Sequence, residues 1–292
     1  MAFGGKRLTS EEIDRYIQAG EIARRIRETF ETRVTEGKKV LEFCEELEAN
    51  ILSRGASLAF PCNIGINEVA AHFTPVPSDE TAFGPTDLVK VDYGLHLDGY
   101  LVDTAFTVAL SKDDSRLVQT AELALKEVTK SIRAEDRISK IGKIVAPIAR
   151  GNSYKIIENL QGHEIARYKL HAGVSIPNVL NFDLRKIKEN TVVAIEPFLT
   201  YGFGAGRVVE KEVINIFQLP TDTRVVPSEL SSAFDSLPLC RRWLNRLSLQ
   251  MPQNLENRIK SYPVLVEANG APIAQAETTL ILLKDKTIDL VS

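Results

Sequence analysis

Two aspartates in one predicted β-hairpin constrain this chain more than any other feature. Segment 90–108 contains two runs of alternating apolar residues joined by an Asp-Gly pair at 98–99, which is typical of a tight hairpin turn. A two-residue turn there puts Gly94 opposite Asp103, with Asp92 as the diagonal neighbour of Asp103 on the same sheet face, roughly 7–8 Å away. Two carboxylates so arranged repel each other unless a cation lies between them, and hard divalent metals prefer such oxygen ligands.

The composition is that of an ordinary globular protein. The chain has 292 residues, 44% hydrophobic and 26% charged, which suits one large domain. A net charge of -3 argues against a dominant role in binding nucleic acid. Three cysteines without CxxC spacing argue against a disulfide framework, and we find no signal peptide and no apolar run long enough to span a bilayer. We therefore expect a cytoplasmic protein.

The predicted elements recur in the same order along the chain. A capping box at Thr9 opens the first of two helices, and the second ends at Gly55, before the aspartate hairpin. Two further helices, at about 115–133 and 137–149, precede strand-like segments such as 191–196. This order predicts two similar halves related by a pseudo-two-fold axis.

Segment 213–261 breaks this pattern. It contains several prolines and short helical stretches. We interpret it as a helical insertion in the second half of a single catalytic domain, 1–292.

Three further side chains are candidates for chemistry: His163, Glu196 and Glu277. Each has an ordinary explanation alone, since strand glutamates usually face solvent and a histidine after glycine is usually a loop residue. Asp92 and Asp103 alone could also be plain charges on a hairpin face. Together the five give an oxygen-rich set with one nitrogen, which suits two divalent cations that share bridging carboxylates.

The chain resembles the type II methionine aminopeptidases, in the short archaeal form, over essentially its whole length. The segments that carry the resemblance are 60–75, 91–94, 102–105, 162–163, 170–173, 194–198, 237–244 and 274–277. The resemblance implies an α+β pita-bread fold, in which two pseudo-symmetric halves form a curved antiparallel sheet with helices on its convex face. The family's last motif differs here, with Ala276 and Thr278 on either side of Glu277, and Asn63 replaces a glycine of eukaryotic members.

The resemblance also assigns roles to individual residues. The implied metal ligands are Asp92, Asp103, His163, Glu196 and Glu277. The implied catalytic residues are His72, His171 and Glu196. The implied walls of the substrate pocket are Phe60, Pro61, His72, Phe198 and Tyr262. From the sequence alone, plain core is the preferred explanation of these aromatic residues, and His96, beside the hairpin turn, is expected on the surface.

The implied reaction is removal of the initiator methionine, with preference for a small second residue, by water that two divalent ions (Co, Mn, Fe or Zn) activate. The implied partners are the N-termini of nascent proteins and, transiently, the ribosome. We expect a monomer that binds neither membrane nor specific nucleic acid. Two alternatives are an X-Pro dipeptidase of the same fold and a non-catalytic homologue that associates with ribosomes or RNA.

Overall fold

The computed structural model describes residues 8–220, 225–252, 255 and 257–291. The α-helices are α1 (Ser10–Phe30), α2 (Val40–Ser53), α3 (Ser115–Ser131), α4 (Ser139–Gly151), α5 (Ser228–Phe234) and α6 (Arg241–Arg246). The first strands are β1 (Ser57–Ile66), β2 (Val69–Ala71), β3 (Leu88–Leu97), β4 (Tyr100–Ala109), β5 (Tyr154–Ile156), β6 (Gln161–Ile165), β7 (Ser175–Pro177) and β8 (Thr191–Ile195). The remaining strands are β9 (Phe198–Tyr201), β10 (Val208–Gln218), β11 (Pro238–Cys240), β12 (Lys260–Glu267), β13 (Ile273–Gln275), β14 (Thr278–Leu282) and β15 (Thr287–Asp289).

The first half consists of α1 and α2 packed against the antiparallel sheet β1-β3-β4. The predicted capping box is confirmed: the Thr9 hydroxyl accepts from the Glu12 N–H at 3.2 Å, and the Glu12 carboxylate accepts from the Thr9 N–H at 2.8 Å. The buried stripe of α1 includes Tyr16, Ala23 and Phe30. Helical spacing puts these side chains on one face, so they fill the core between helix and sheet.

The predicted hairpin register is confirmed. Gly94 lies opposite Asp103, and Asp92 lies opposite Ala105. Asp98 and Gly99 have positive φ values of 51° and 86°. A two-residue turn whose twist matches that of the flanking strands requires positive φ at both positions. The turn therefore fixes which face of the sheet carries the two aspartates.

The second half repeats this arrangement. Helices α3 and α4 share a core with the five-stranded antiparallel sheet β15-β14-β8-β6-β7. The helices expected at about 115–133 and 137–149 are confirmed to within two residues at each end. The expected α+β architecture of two similar halves built on antiparallel strands is thus confirmed.

The two halves meet along β4 and β14. Ala105 and Glu277 form an isolated antiparallel bridge, and the Thr104 hydroxyl donates to the Glu277 carbonyl at 2.8 Å. The Thr279 hydroxyl accepts from the Asp103 N–H at 2.8 Å and donates to the Asp103 carbonyl at 2.7 Å. These bonds hold the backbones of Asp103 and Glu277 side by side at the seam.

Segment 213–261 contains strand as well as helix. Strand β10 pairs with β11 and β12, and β12 also pairs with β2 of the first half. Helices α5 and α6 pack on a small apolar cluster that includes Leu230, Phe234, Leu239 and Trp243. Within the described part of the chain, none of the helices has both the length and the apolar character needed to cross a membrane.

Candidate active site

A cavity of about 280 Å³ lies at the seam between the two halves. It is lined by every implied metal ligand, by both implied catalytic histidines and by most of the implied pocket residues. These are Asp92, Asp103, His163, Glu196, Glu277, His72, His171, Phe60, Phe198 and Tyr262. Residues from β1, β3, β4, β6, β9 and β12 thus converge on one space, although they lie far apart in the sequence.

Three of the polar side chains form a compact group. One ligand atom each from Asp103, His163 and Glu277 lies within 4.8 Å of the others. His163 Nε2 is 3.3 Å from an Asp103 carboxylate oxygen and 3.8 Å from a Glu196 carboxylate oxygen. Asp92 lines the same cavity from β3.

Glutamates 196 and 277 lie where apolar strands end. Glu196 follows the buried run of β8, and its carbonyl accepts a hydrogen bond from Asn178 Nδ2 at 3.1 Å. Glu277 lies between β13 and β14, and its carboxylate accepts from Gln275 Nε2 at 3.2 Å. The apolar strands anchor the backbone, so each carboxylate is held in the cavity instead of reaching solvent.

The electrostatics of this group favour a bound cation. Burial, and secondarily the charge of Asp103, raise the pKa values of Asp92, Glu196 and Glu277 well above those of free carboxyl groups. Buried atoms Asp92 Oδ1, Asp103 Oδ1 and His163 Nδ1 have no hydrogen-bond partner. Buried carboxylates that repel one another, some with unpartnered oxygens, together with one imidazole, fit divalent metal ions as ligands.

The two remaining histidines lie beside this cluster. The centroid of the His171 ring lies 4.4 Å from that of His163 and 6.4 Å from that of Tyr262, on which it stacks, and His72 packs edge-on against Tyr262 at 5.2 Å. Desolvation in the cavity lowers the pKa of His171, with a further contribution from the charge of His163, and burial also lowers the pKa of His72. Both imidazoles are therefore neutral near pH 7.

The hydrogen bonding of His72 identifies its tautomer. Its Nδ1 lies 3.1 Å from the carbonyl oxygen of Pro263, which can only accept a hydrogen bond. Nδ1 therefore carries the proton and Nε2 is an acceptor. His72 also has a positive φ of 66°, an uncommon backbone conformation for a residue other than glycine.

The apolar part of the cavity is formed by aromatic rings. Phe60 and Phe198 are 6% and 2% exposed, and Tyr262 is held by a 2.8 Å hydrogen bond from its hydroxyl to Gln218. Pro61, expected in this wall, does not line the cavity. Successive side chains of an extended strand point to opposite faces, so Phe60 faces the cavity and Pro61 faces away.

Sequence reasoning missed other residues that line the cavity. They include Ser175, Ile216 and Pro238. Asn63, the position that differs from eukaryotic members, also lines the cavity. Asn63 Nδ2 donates to the Pro61 carbonyl at 2.8 Å, while its Oδ1 is buried without a partner. Asn63 lies opposite Asp92 across β1 and β3, but alternation counted from Phe60 would place it on the other face, because the pairing is irregular between Phe60 and Asn63.

The expectation that His96 is a surface residue is wrong. His96 is 7% exposed, and its Nδ1 accepts from the Gly99 N–H at 3.1 Å. The ring packs edge-on against Tyr168 at 5.5 Å. The segment that carries Tyr168 covers the hairpin turn, and the Tyr168 N–H donates a hydrogen bond to the Gly99 carbonyl. No local sequence pattern predicts this contact.

Comparison with known proteins places the chain in a family. The profile of metallopeptidase family M24 matches residues 14–216. A methionine aminopeptidase of Thermococcus onnurineus is 40% identical over 94% of this chain and 98% of its own length, and one of Methanocaldococcus jannaschii is 39% identical over 94% and 97%.

A crystal structure of methionine aminopeptidase from Rickettsia prowazekii superposes with a TM-score of 0.74 at 18% identity, covering 98% of this chain and 99% of that one. That likeness shows a common pita-bread fold. By sequence and by fold, the chain belongs to metallopeptidase family M24, together with the archaeal methionine aminopeptidases.

Proposed function

We propose that this chain removes N-terminal methionine from proteins and peptides, with preference for a small second residue. One observation carries the proposal: the buried cluster of carboxylates and imidazole shares a cavity with a wall of aromatic rings. The cluster suits metal-assisted hydrolysis, and the apolar wall suits an unbranched thioether.

The five polar residues have the roles of metal ligands in this proposal. They are Asp92, Asp103, His163, Glu196 and Glu277. Two divalent metal ions held there would supply a water molecule of lowered pKa and a Lewis acid for the scissile carbonyl. The formal charge of four carboxylates would balance two such ions, whose binding would keep these groups ionised.

Glu196 is the proposed general base. Its carboxylate lies in the cluster, 3.8 Å from His163, and its side chain is 14% exposed. Without a cation, burial raises its pKa. A buried carboxylate next to the attacking water accepts its proton and later returns one to the leaving amine.

The neutral histidines act on the substrate. His171 donates a hydrogen bond to the oxygen on which negative charge develops, since its ring lies 4.4 Å from His163 at the edge of the cluster. His72 Nε2, which carries no proton, accepts a hydrogen bond from the N–H of the scissile amide. His72 and His171 both contact Tyr262, so one ring orients the two histidines.

Phe60, Phe198 and Tyr262 form the proposed methionine pocket, with His72 at its rim. Flat rings surround a narrow space that accepts a linear side chain and makes favourable contacts with sulfur. A side chain branched at Cγ would meet an aromatic wall. Norleucine, which differs by one atom, should therefore bind nearly as well as methionine.

We further infer a monomer of one catalytic domain, 1–292, into which segment 213–261 is inserted. The cysteines Cys44, Cys62 and Cys240 are free and buried, which suits a reducing compartment, and we propose a cytoplasmic protein. Its substrates would be nascent N-termini, met during transient contact with the ribosome.

The test is hydrolysis of Met-Ala-Ser compared with Ala-Pro, first after chelation and then with divalent metal restored. We expect cleavage of Met-Ala-Ser that chelation abolishes and metal restores. Faster cleavage of Ala-Pro than of Met-Ala-Ser would show that the protein is an X-Pro dipeptidase. Absence of any cleavage in protein loaded with metal would favour a non-catalytic homologue.

A further inference from the structure

One buried carboxylate outside the cavity gathers hydrogen bonds from several segments. Glu48 of α2 is fully buried. Arg242 donates to both of its oxygens, at 2.6 and 2.8 Å, and Trp243 Nε1 donates at 2.8 Å. The backbone N–H of Cys62 donates to it at 3.3 Å. A charge-assisted bidentate pair whose other acceptor sites are also filled is a rigid junction.

Arg242 extends the junction to a further segment. It is 4% exposed, and its guanidinium donates to the Thr74 hydroxyl at 3.1 Å and to the Pro75 carbonyl at 3.4 Å. Thr74 comes two residues after His72. The Phe73 carbonyl accepts from the Ile64 N–H at 2.8 Å, which ties the same segment to β1.

Each segment that the junction holds also supplies a wall of the cavity. The Cys62 N–H lies in the stretch of β1 where pairing with β3 is irregular, between Phe60 and Asn63. Irregular pairing leaves this stretch with fewer ladder bonds, so the bond to Glu48 replaces part of the missing restraint. Arg242 follows β11, which contributes Pro238 to the cavity.

We propose that Glu48 and Arg242 are a positioning pair that sets the width of the methionine pocket. The pair touches neither substrate nor metal, and this inference rests on the function proposed above. It holds the irregular stretch of β1, the segment after His72 and the start of α6 at fixed separations. Phe60, His72 and Pro238 are therefore fixed relative to one another.

A buried ion pair is weak evidence for stability, since an apolar replacement is often as stable. Hydrogen bonds to three segments do more than add stability. Two segments can slide past each other across an apolar contact, whereas a bidentate hydrogen bond fixes their relative position. The pair is therefore expected to affect substrate discrimination more than its contribution to folding would explain.

Two substitutions test the proposal. Thr74→Val removes one link between Arg242 and the segment after His72 and leaves the ion pair intact. Arg242→Lys keeps the positive charge but cannot donate the two parallel hydrogen bonds that the guanidinium makes to Glu48. The matched control is Glu267→Gln, at another buried carboxylate, which accepts from the backbone N–H groups of Gly206, Asn269 and Ala271 and lies outside the cavity lining.

The measurements are kcat and KM for Met-Ala-Ser and Leu-Ala-Ser, bound metal, thermal midpoint, and amide exchange over residues 58–75. We expect the ratio of kcat/KM for Met over Leu to fall about tenfold in Arg242→Lys and about threefold in Thr74→Val, mainly through KM for Met. Metal content should not change, and amide exchange should rise over 58–75. Glu267→Gln should lower the thermal midpoint and leave both the ratio and that exchange unchanged.

An unchanged Met/Leu ratio in both variants, or an equal change in Glu267→Gln, would overturn the positioning role. If Arg242→Lys does not fold, Thr74→Val alone decides. If wild-type protein does not cleave Met-Ala-Ser, the proposed function fails, whereas amide exchange over 58–75 still tests whether the pair holds these segments.

Discussion

The ring of Phe60 occupies the place of the side chain that Gly94 lacks. Phe60 lies opposite Gly94 across β1 and β3, and a Cβ at position 94 would stand 2.2 Å from Phe60 Cε1. Gly94 also lies opposite Asp103 in the hairpin. The glycine thus lets an aromatic wall of the pocket approach the strand that carries Asp92.

Gly94→Ala should therefore damage substrate binding more than folding. A methyl group there forces the Phe60 ring out of its position, and a displacement of about 1 Å in a catalytic site costs up to about 10² in rate. We expect kcat/KM for Met-Ala-Ser to fall by roughly this factor, with metal content unchanged. Gly151→Ala, where a Cβ meets no atom within 4 Å, is the control and should keep full activity. Equal kinetics in the two variants would contradict this role for Gly94.

Local chemistry explains why the hairpin could be predicted from the sequence. The Asp98-Gly99 turn fixes the register, and alternation then fixes the face that Asp92 and Asp103 share. The location of the Phe60 ring could not be predicted in this way. The pairing of β1 with β3 is irregular between Phe60 and Asn63, so counting residues along β1 does not give the facing positions.

Contacts between residues far apart in the sequence could not be predicted from local patterns. Glu48 and Arg242 are 194 residues apart, and each alone is an ordinary helical charge. Their pairing depends on how segment 213–261 folds back on α2, which no periodicity encodes. The chemistry of His163, Glu196 and Glu277 makes them candidate ligands, and the family resemblance implies that they share one site, but alternation relates only residues on neighbouring strands and does not show how they meet.

Glu277→Ala should lose metal as well as activity. Glu277 is 2% exposed, and its carboxylate belongs to the compact group with Asp103 and His163. Removing a charged ligand leaves the cations under-neutralised. Metal analysis after dialysis should find fewer ions per chain than in wild type, whereas Glu267→Gln should retain them. Two tightly bound ions in Glu277→Ala would remove this residue from the ligand set.

His171→Ala should lower turnover and leave metal content unchanged. Loss of one donor to a developing oxyanion costs about 10²–10³ in kcat. His96→Gln is a useful control, because His96 is another histidine whose pKa is lowered by burial, but it lies outside the cavity lining. Steady-state kinetics and metal analysis check both variants. Metal loss in His171→Ala, or an equal loss of turnover in His96→Gln, would count against the oxyanion role.

Glu267 should make stability depend on pH. Its carboxylate is 2% exposed and accepts N–H bonds from Gly206, Asn269 and Ala271, at 2.9, 2.7 and 3.2 Å. Burial acts to raise its pKa, but these backbone donors outweigh burial and hold the pKa below the usual 4.5.

A carboxyl group whose pKa is lower in the folded protein stabilises the fold fully above its unfolded pKa, and this contribution is lost as pH falls through the folded value. Glu267→Gln should therefore cost about 1–3 kcal/mol of unfolding free energy at pH 7. That cost should shrink below about pH 4.5. Urea denaturation of both proteins between pH 7 and pH 4 measures the difference. Glu45→Gln, at an exposed position on α2, should give a small difference that does not vary with pH. A cost for Glu267→Gln that stays constant over this range would show that the lost hydrogen-bond geometry, and not the lost charge, destabilises the variant.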